Sequence, residues 1–314
     1  MLNDSAREFL NTTAWRDATC EPITGDASAR KYFRLRKDEC SAVLMDASQV
    51  LECVAPFIRI NQHLHQLGFS VPGILSRTDD KGLLLLEDFG DATFTRLLDN
   101  QLEPEKLYTL ATDVLIALHQ HPRAIPKELR AYHPEKMLED IGLFLEWHSI
   151  SKAGQAEFRT VWREVLPLAH QVPASLLLRD YHVANLMLLP DRQGVRQAGL
   201  LDFQDAYQGP VTYDLVSLLE DARRDVPEEL KEKMAARYQA HFPTLDRNAF
   251  ETSMAILAAL RHTRVLAIFE RLSRREGKHE YKKLHSPRVR RLLQRSLRHP
   301  MLAGVKRWME RYAR

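Results

Sequence analysis

Residues 176–214 read LLLRDYHVANLMLLPDRQGVRQAGLLDFQDAYQGPVTYD. Leu176-Leu177-Leu178 is a short apolar run and Arg179-Asp180-Tyr181-His182 is polar. Two more apolar runs, 185–189 and 198–202, flank the turn-rich Asp191-Arg192-Gln193-Gly194. The pattern predicts a strand, a loop, and a β-hairpin with acids and an amide at its open end. With the turn centred on Gln193 and Gly194, Leu189 pairs with Ala198 and Asn185 faces Asp202. Directly opposed residues hold their Cβ atoms about 4.5 to 5.5 Å apart. An amide oxygen and a carboxylate at that spacing can share a hard cation. Asp180 sits five residues before Asn185, on the loop leading in. Two metal ligands and a nearby proton-accepting carboxylate are the parts of a phosphoryl-transfer centre.

At 314 residues the chain has room for two domains. The opening MLNDSAREFLNTTAW is polar and acidic where an export signal is basic and then apolar. No apolar run approaches the ~18 residues needed to span a bilayer. A cytoplasmic protein without a membrane partner is expected. Cys20, Cys40 and Cys53 have neither a pairing count nor a metal-ligand spacing and read as reduced structural thiols. The net charge of +3 hides an asymmetry: residues 261–314 hold 17 Lys and Arg against 4 acids, a net of +13, which leaves −10 for residues 1–260. A basic tail can bind nucleic acid. Here the basic residues alternate with leucine and valine at helical intervals, which favours a solvated helical face on an acidic body.

In chain order, an opening helix precedes three strands, the first ending in Ile23-Thr24-Gly25, then 30–36 and 42–46, the last pair joined by Lys37-Asp38-Glu39-Cys40. Gly25-Asp26-Ala27-Ser28 between the first two is a small polar turn, a weak phosphate-loop signal by itself. An amphipathic helix over 50–67 stops at Gly68, followed by a strand over 71–76 and the apolar run 83–86, which closes at Glu87-Asp88-Phe89-Gly90. From Pro104 onward the periodicity is helical, around 135–148 and 157–170 and, beyond the hairpin, over 213–224, 227–242, 247–275 and 287–312.

A small sheet-plus-helix lobe, a connector and a helical lobe carrying a loop and hairpin resemble the protein-kinase-like fold, and specifically the aminoglycoside phosphotransferase family. The resemblance rests on Asp180-x4-Asn185, on Asp202-Phe203 seventeen residues later, and on Gly209-Pro210-x-x-Tyr213-Asp214-Leu215, taken together and in order. More narrowly, RDYHVANLMLL, GLLDFQDAYQGPVTYDLVSLLEDARRDV, GDASARKYFRLR and AVLMDAS are similar to the bacterial anomeric kinases of N-acetylmuramate and N-acetylglucosamine. The resemblance implies an α+β, bilobal protein-kinase-like fold. Residues 1–90 would be the antiparallel-sheet N-lobe that covers the nucleotide, and 91–314 the mainly helical C-lobe. It also implies ATP and Mg²⁺ as cofactors, a sugar α-1-phosphate as product and a place in peptidoglycan recycling.

By the same resemblance Asp180 deprotonates the sugar hydroxyl and Asn185 and Asp202 hold Mg²⁺. Asp214 is a buried acid that fixes the catalytic loop through backbone hydrogen bonds. The nucleotide falls to Gly25, Asp26, Ser28, Arg30, Glu87 and Phe89. His182, Asp205 and Tyr207 are sugar-binding candidates by proximity, with Asp221 and Arg224 on the following helix, and Arg179 or Arg224 could meet a lactyl carboxylate. One departure stands out. The third strand reads Ala42-Val43-Leu44-Met45-Asp46 and lacks the phosphate-contacting lysine of protein kinases. Arg30 is the candidate replacement. The missing lysine motivates a rival reading as a pseudokinase-like binding module, against which the intact Asp180, Asn185 and Asp202 argue. An aminoglycoside acceptor is a second rival, disfavoured by candidates that mix Arg, His and Asp. A monomer with a small-molecule sugar and a nucleotide as partners, and no nucleic acid, is expected.

Overall fold

The computed structural model describes residues 2–23, 29–147 and 150–313. Its elements are α1 (Asp4–Asn11), β1 (Thr19–Ile23), β2 (Lys31–Lys37), β3 (Cys40–Asp46), α2 (Val54–Gln66), β4 (Ile74–Thr78), β5 (Leu83–Glu87), α3 (Phe94–Asp99), α4 (Pro104–Gln120), α5 (Pro134–Glu146), α6 (Lys152–Val165), β6 (Ala174–Leu177), β7 (Leu186–Leu188), β8 (Ala198–Leu200), β9 (Tyr207–Pro210), α7 (Thr212–Leu219), α8 (Glu228–Ala240), α9 (Arg247–Glu276), α10 (His279–Ser296) and α11 (Ala303–Tyr312). They form two units, Met1–Pro104 with Val183–Asp205, and Glu105–His182 with Ala206–Arg314.

In the first unit five strands pair in the order β1-β2-β3-β5-β4, all antiparallel. Strand side chains alternate between faces, so Phe33 and Leu35 of β2, Ala42 and Leu44 of β3, and Leu83 and Leu85 of β5 share one side. There they meet Ala6, Phe9 and Leu10 of α1. Each such buried Leu or Phe contributes about 1.5–3 kcal/mol relative to exposure. The central β5 is buried along Leu83-Leu84-Leu85-Leu86, which is why its sequence is continuously apolar rather than alternating. Gly68, at φ +87°, ends the chain segment after α2 as the sequence predicts. The fourth strand starts at Ile74, later than expected, because Pro72 has no N–H and the N–H of Gly73 goes to the Glu87 side chain at 3.1 Å.

The hairpin β7–β8 belongs to this unit through hydrogen bonds. Leu200 N donates to Ser70 O at 2.8 Å and Leu188 N donates to Ala92 O at 2.8 Å, while Ser70 Oγ donates to Arg196 O at 2.6 Å.

The second unit is built on α9. Asp246 caps its start, accepting from Ala249 N at 2.8 Å, and Gly277 at φ +68° ends it. Its buried Ile256, Leu257, Leu260, Leu266, Phe269 and Leu272 share one core with Phe144, Phe158, Trp162 and Trp308. Among the described residues α9 is the one helix long and apolar enough to cross a membrane by length and composition, but 72% of its apolar window is buried inside the fold. The basic α10 packs on α9, and its charges meet acids: Arg288 reaches Asp225 at 2.9 Å, Lys282 reaches Glu270 at 2.8 Å, and Arg295 pairs with Glu228.

Two helical expectations are corrected. The stretch 287–312 is two helices, because His299 precedes a proline and sits extended at ψ 131°, which breaks the path at Pro300. The helix expected over 213–224 ends at Leu219. Asp221 then accepts from Arg223 N at 2.8 Å, a local side-chain bond that competes with the helical one. Asp221 and Arg224 therefore sit on a loop.

Candidate active site

In the first unit the hairpin register is one residue from the expected one. Leu188, not Leu189, pairs with Ala198, and Leu186 pairs with Leu200. A 3-10 turn over Gly194–Gln197 takes up part of the loop, and Leu189 N closes it on Gln197 O at 2.8 Å. Asn185 O thus accepts from Leu201 N at 3.0 Å, and Asp202 lies one step beyond the ladder. Asp202 has φ +59°. The left-handed turn costs a non-glycine residue roughly 1–2 kcal/mol, and it brings the carboxylate back to the asparagine, with Asn185 Nδ2 3.5 Å from Asp202 Oδ2. Phe203 follows, fully buried and stacked on Phe57 of α2 at 5.1 Å between ring centroids, which anchors the turn.

Arg30, just before β2, points at Asp202. Its side chain is 9% exposed, its Nη2 pairs with Asp202 Oδ1, and its Nη1 donates to Gln204 Oε1 at 2.6 Å. Gln204 Nε2 donates in turn to Asp202 Oδ1 at 3.0 Å. Tyr32 lies beneath the guanidinium at 5.9 Å, and burial pushes its phenol up to about 12. No group of three or more His, Cys, Asp or Glu gathers among the described residues. Asp202 does offer a hard carboxylate oxygen, and a half-turn of the Asn185 amide, whose Nδ2 faces it, sets an amide oxygen beside it. That set fits Mg²⁺, which keeps waters and takes phosphate oxygens for its remaining positions.

The connector expected at 87–90 is pinned to the hairpin. Glu87 Oε1 accepts from Arg192 Nη2 at 2.6 Å, and the Arg192 guanidinium lies 5.0 Å over the Phe89 ring. Gly199 of β8 backs that ring, since an added Cβ would fall 2.7 Å from it. Arg34 holds Asp88 at 2.7 Å and Asp91 at 2.7 Å, and the Arg34 hydrogen bond keeps the Asp91 carboxyl below its usual range. Asp205 is exposed, 3.4 Å from Gln204 Nε2. Gly25, Asp26 and Ser28 lie outside the described residues.

The second unit carries the loop that contains Asp180. Strand β6 pairs with β9, with Leu177 opposite Tyr207. A Cβ on Gly209 would fall 2.7 Å from Leu177, so only glycine lets the strands approach this closely. Asp214, at the start of α7, is fully buried and accepts from both Leu178 N at 2.6 Å and Arg179 N at 2.9 Å. This is the loop-fixing arrangement that the resemblance implies. Burial, with the negative Asp180 nearby, pushes the Asp214 carboxyl up to about 7, while the two N–H donors pull it down.

Arg179 adopts φ +67°. Its Nη2 donates to Asp140 at 2.7 Å, and its guanidinium stacks on Tyr132 at 4.7 Å and Tyr207 at 5.0 Å. Tyr181 fixes the other side of Asp180, its hydroxyl donating to Ala111 O at 2.7 Å. His182 is 7% exposed, and burial keeps its imidazole below the usual pKa. Arg224 is half-buried on the loop after α7. Sequence reading missed the Arg192 strap and the Tyr132–Arg179–Tyr207 stack. Both join residues from distant elements and leave no local pattern.

Residues 19–250 match the model of the phosphotransferase enzyme family (APH). The chain belongs to that family. As an APH-family member, it is 34% identical to an N-acetylmuramate/N-acetylglucosamine kinase of Caulobacter vibrioides, over 97% of this chain and 94% of that one. A kinase of the same name from Pseudomonas aeruginosa is 33% identical, covering 89% of this chain and 85% of that one. Among solved structures, a choline/ethanolamine kinase family protein from Mesorhizobium loti superposes with a TM-score of 0.68 at 15% identity, over 97% of each chain. The ADP-bound aminoglycoside phosphotransferase APH(2'')-Ib does so with 0.63 at 16% identity, over 96% of this chain and 99% of that one. The fold is therefore kinase-like, and the phosphotransferase chemistry of the family is that of this chain.

Proposed function

We propose that the chain transfers the γ-phosphoryl group of ATP to the anomeric hydroxyl of N-acetylmuramate and N-acetylglucosamine. The product is the sugar α-1-phosphate, made in the cytoplasm during peptidoglycan recycling. The observation that carries the substrate is the relatives' shared name at 30–34% identity over most of the chain. The structural neighbours at 15–16% identity speak to the fold alone.

In this reading Asp180 accepts the proton of the C1 hydroxyl as its oxygen bonds to phosphorus and the bond to ADP breaks. The backbone N–H bonds of Leu178 and Arg179 to Asp214 and the tyrosine stack on Arg179 support it by holding the loop before Asp180, and the bond of the Tyr181 hydroxyl to Ala111 O holds it after. Asn185 and Asp202 would hold Mg²⁺, which when bound neutralises phosphate charge. Arg30 serves the phosphates in place of the missing lysine, with Gly25, Asp26 and Ser28 as further nucleotide-binding residues. Glu87 and Phe89 border the nucleotide, and His182, Asp205 and Arg224 the sugar. By role, 1–90 covers the nucleotide and 91–314 supplies loop, hairpin and acceptor residues.

The Asp180→Asn variant tests the assignment. Its kcat is expected to fall about a hundred- to ten-thousandfold, with Mg·ATP affinity by calorimetry within about threefold of wild type. Turnover near the wild-type rate would place the base on another residue.

A further inference from the structure

Arg261 and Arg264 stand one helical turn apart on α9, where residues three apart share a face. Among the described residues neither is matched by an acid of its own. The carboxylate nearest Arg264 is Asp140, 3.9 Å from its Nε. That carboxylate is already engaged: Oδ2 accepts from Arg179 at 2.7 Å and from the Tyr132 hydroxyl at 2.8 Å, and Oδ1 lies 3.1 Å from Lys136 Nζ. Three cations share one anion. Lys136 has a second acid in Glu139 at 3.0 Å, and Arg179 has its two aromatic rings, so Arg264 holds the surplus. Its side chain is 27% exposed, against 6% for Arg179. Arg261 is buried, and its Nη1 has no hydrogen-bond partner among the described residues.

Taking guanidinium groups out of water without partner anions is unfavourable, and it persists where an anion arrives from outside. The surplus borders the loop that carries the proposed base. Arg264 and Arg179, the residue before Asp180, meet at the same Asp140 oxygen, and Arg261 stands one turn before Arg264 on the same helix face. The group expected at Asp180 is the acceptor sugar. The two proposed acceptors differ by one substituent: N-acetylmuramate carries a lactyl ether at O3, two carbons from the reacting C1, ending in a carboxylate. A guanidinium fork is the natural receptor for that group.

We infer that Arg264, with Arg261 behind it, is the residue that recognises the carboxylate of N-acetylmuramate. This inference rests on the reading of the chain as an amino-sugar kinase. Arg179, one of the two arginines that the sequence offered for the task, is already committed to Asp140 and its aromatic stack. Arg264 sets the preference between the two sugars and takes no part in the transfer.

The test is steady-state kinetics of wild type, Arg264→Gln and Arg264→Lys on both sugars, with KM for ATP measured alongside. In R264Q the ratio of kcat/KM for N-acetylmuramate to that for N-acetylglucosamine is expected to fall about ten- to a hundredfold. Most of the fall lies in the KM for N-acetylmuramate, and R264K falls between R264Q and wild type. If R264Q fails to fold, a drop of at least about threefold in R264K carries the test. An unchanged ratio, or equal losses on both sugars, would make Arg264 a support of the loop and overturn the inference. A raised KM for ATP with a constant sugar ratio would assign it to phosphate, with the same result. Wild-type protein inactive on both sugars would instead remove the kinase reading on which the inference stands.

Discussion

Arg30 concentrates the chemistry of the first unit in one side chain. It is nearly buried, and it binds the Asp202 carboxylate at the proposed metal position and the neighbouring Gln204 amide. A charge held by two partners is pre-aimed, so its rotamer entropy is lost before any phosphate arrives. Arg30→Ala is expected to lower kcat/KM for ATP about ten- to a hundredfold while the sugar KM moves less than about threefold. An unchanged KM for ATP would leave Arg30 as a tether for Asp202 only. The sequence made Arg30 a candidate because the third strand, Ala42-Val43-Leu44-Met45-Asp46, has no lysine and Arg30 is a nearby cation at the start of the second. Its bond to Asp202 joins residues 172 positions apart and had no local signature. The same holds for Arg264, whose isolation depends on how α5 and the Asp180 loop share Asp140.

Elements were legible where one local rule decided them and shifted where two rules competed. The loop and hairpin were read correctly in kind, yet the register moved by one because a 3-10 turn takes part of the loop. The left-handed Asp202 then restores the meeting with Asn185 that the wrong register had predicted. The break before α11 follows from Pro300, a signal outweighed by the long basic periodicity. Joins between helices had no sequence signal at all. On α4, the half-buried His119 has Nδ1 2.7 Å from the Tyr238 hydroxyl of α8, and desolvation drives its pKa down to about 3. The unfolded chain takes up this proton near pH 6.5 and the folded one does not. His119 therefore costs nothing above pH 6.5, and stability falls as pH drops from there toward 3, by up to roughly 1.4 kcal/mol per pH unit. Urea midpoints of wild type and His119→Gln should converge as pH falls from 7 to 4. Parallel curves would contradict the desolvated neutral imidazole.

At the scale of the whole molecule, the fold class followed from the order of elements (strands, helix, strands, connector, helices, then loop and hairpin) together with the Asp180, Asn185, Asp202 and Asp214 motifs set on them. The composition of the units did not, because the chain leaves the second unit at His182 and returns to it at Ala206. The proposed base Asp180 and the first proposed metal ligand, Asn185, stand five residues apart in sequence and belong to different units. The chemistry assigned to them comes down to one atom of the acceptor, the oxygen on C1. Release of ADP with N-acetylglucosamine and with its 1-deoxy analogue, at equal concentrations and saturating Mg·ATP, tests that assignment most directly. The account predicts turnover of the sugar and none of the 1-deoxy form. Equal turnover of the two would contradict it.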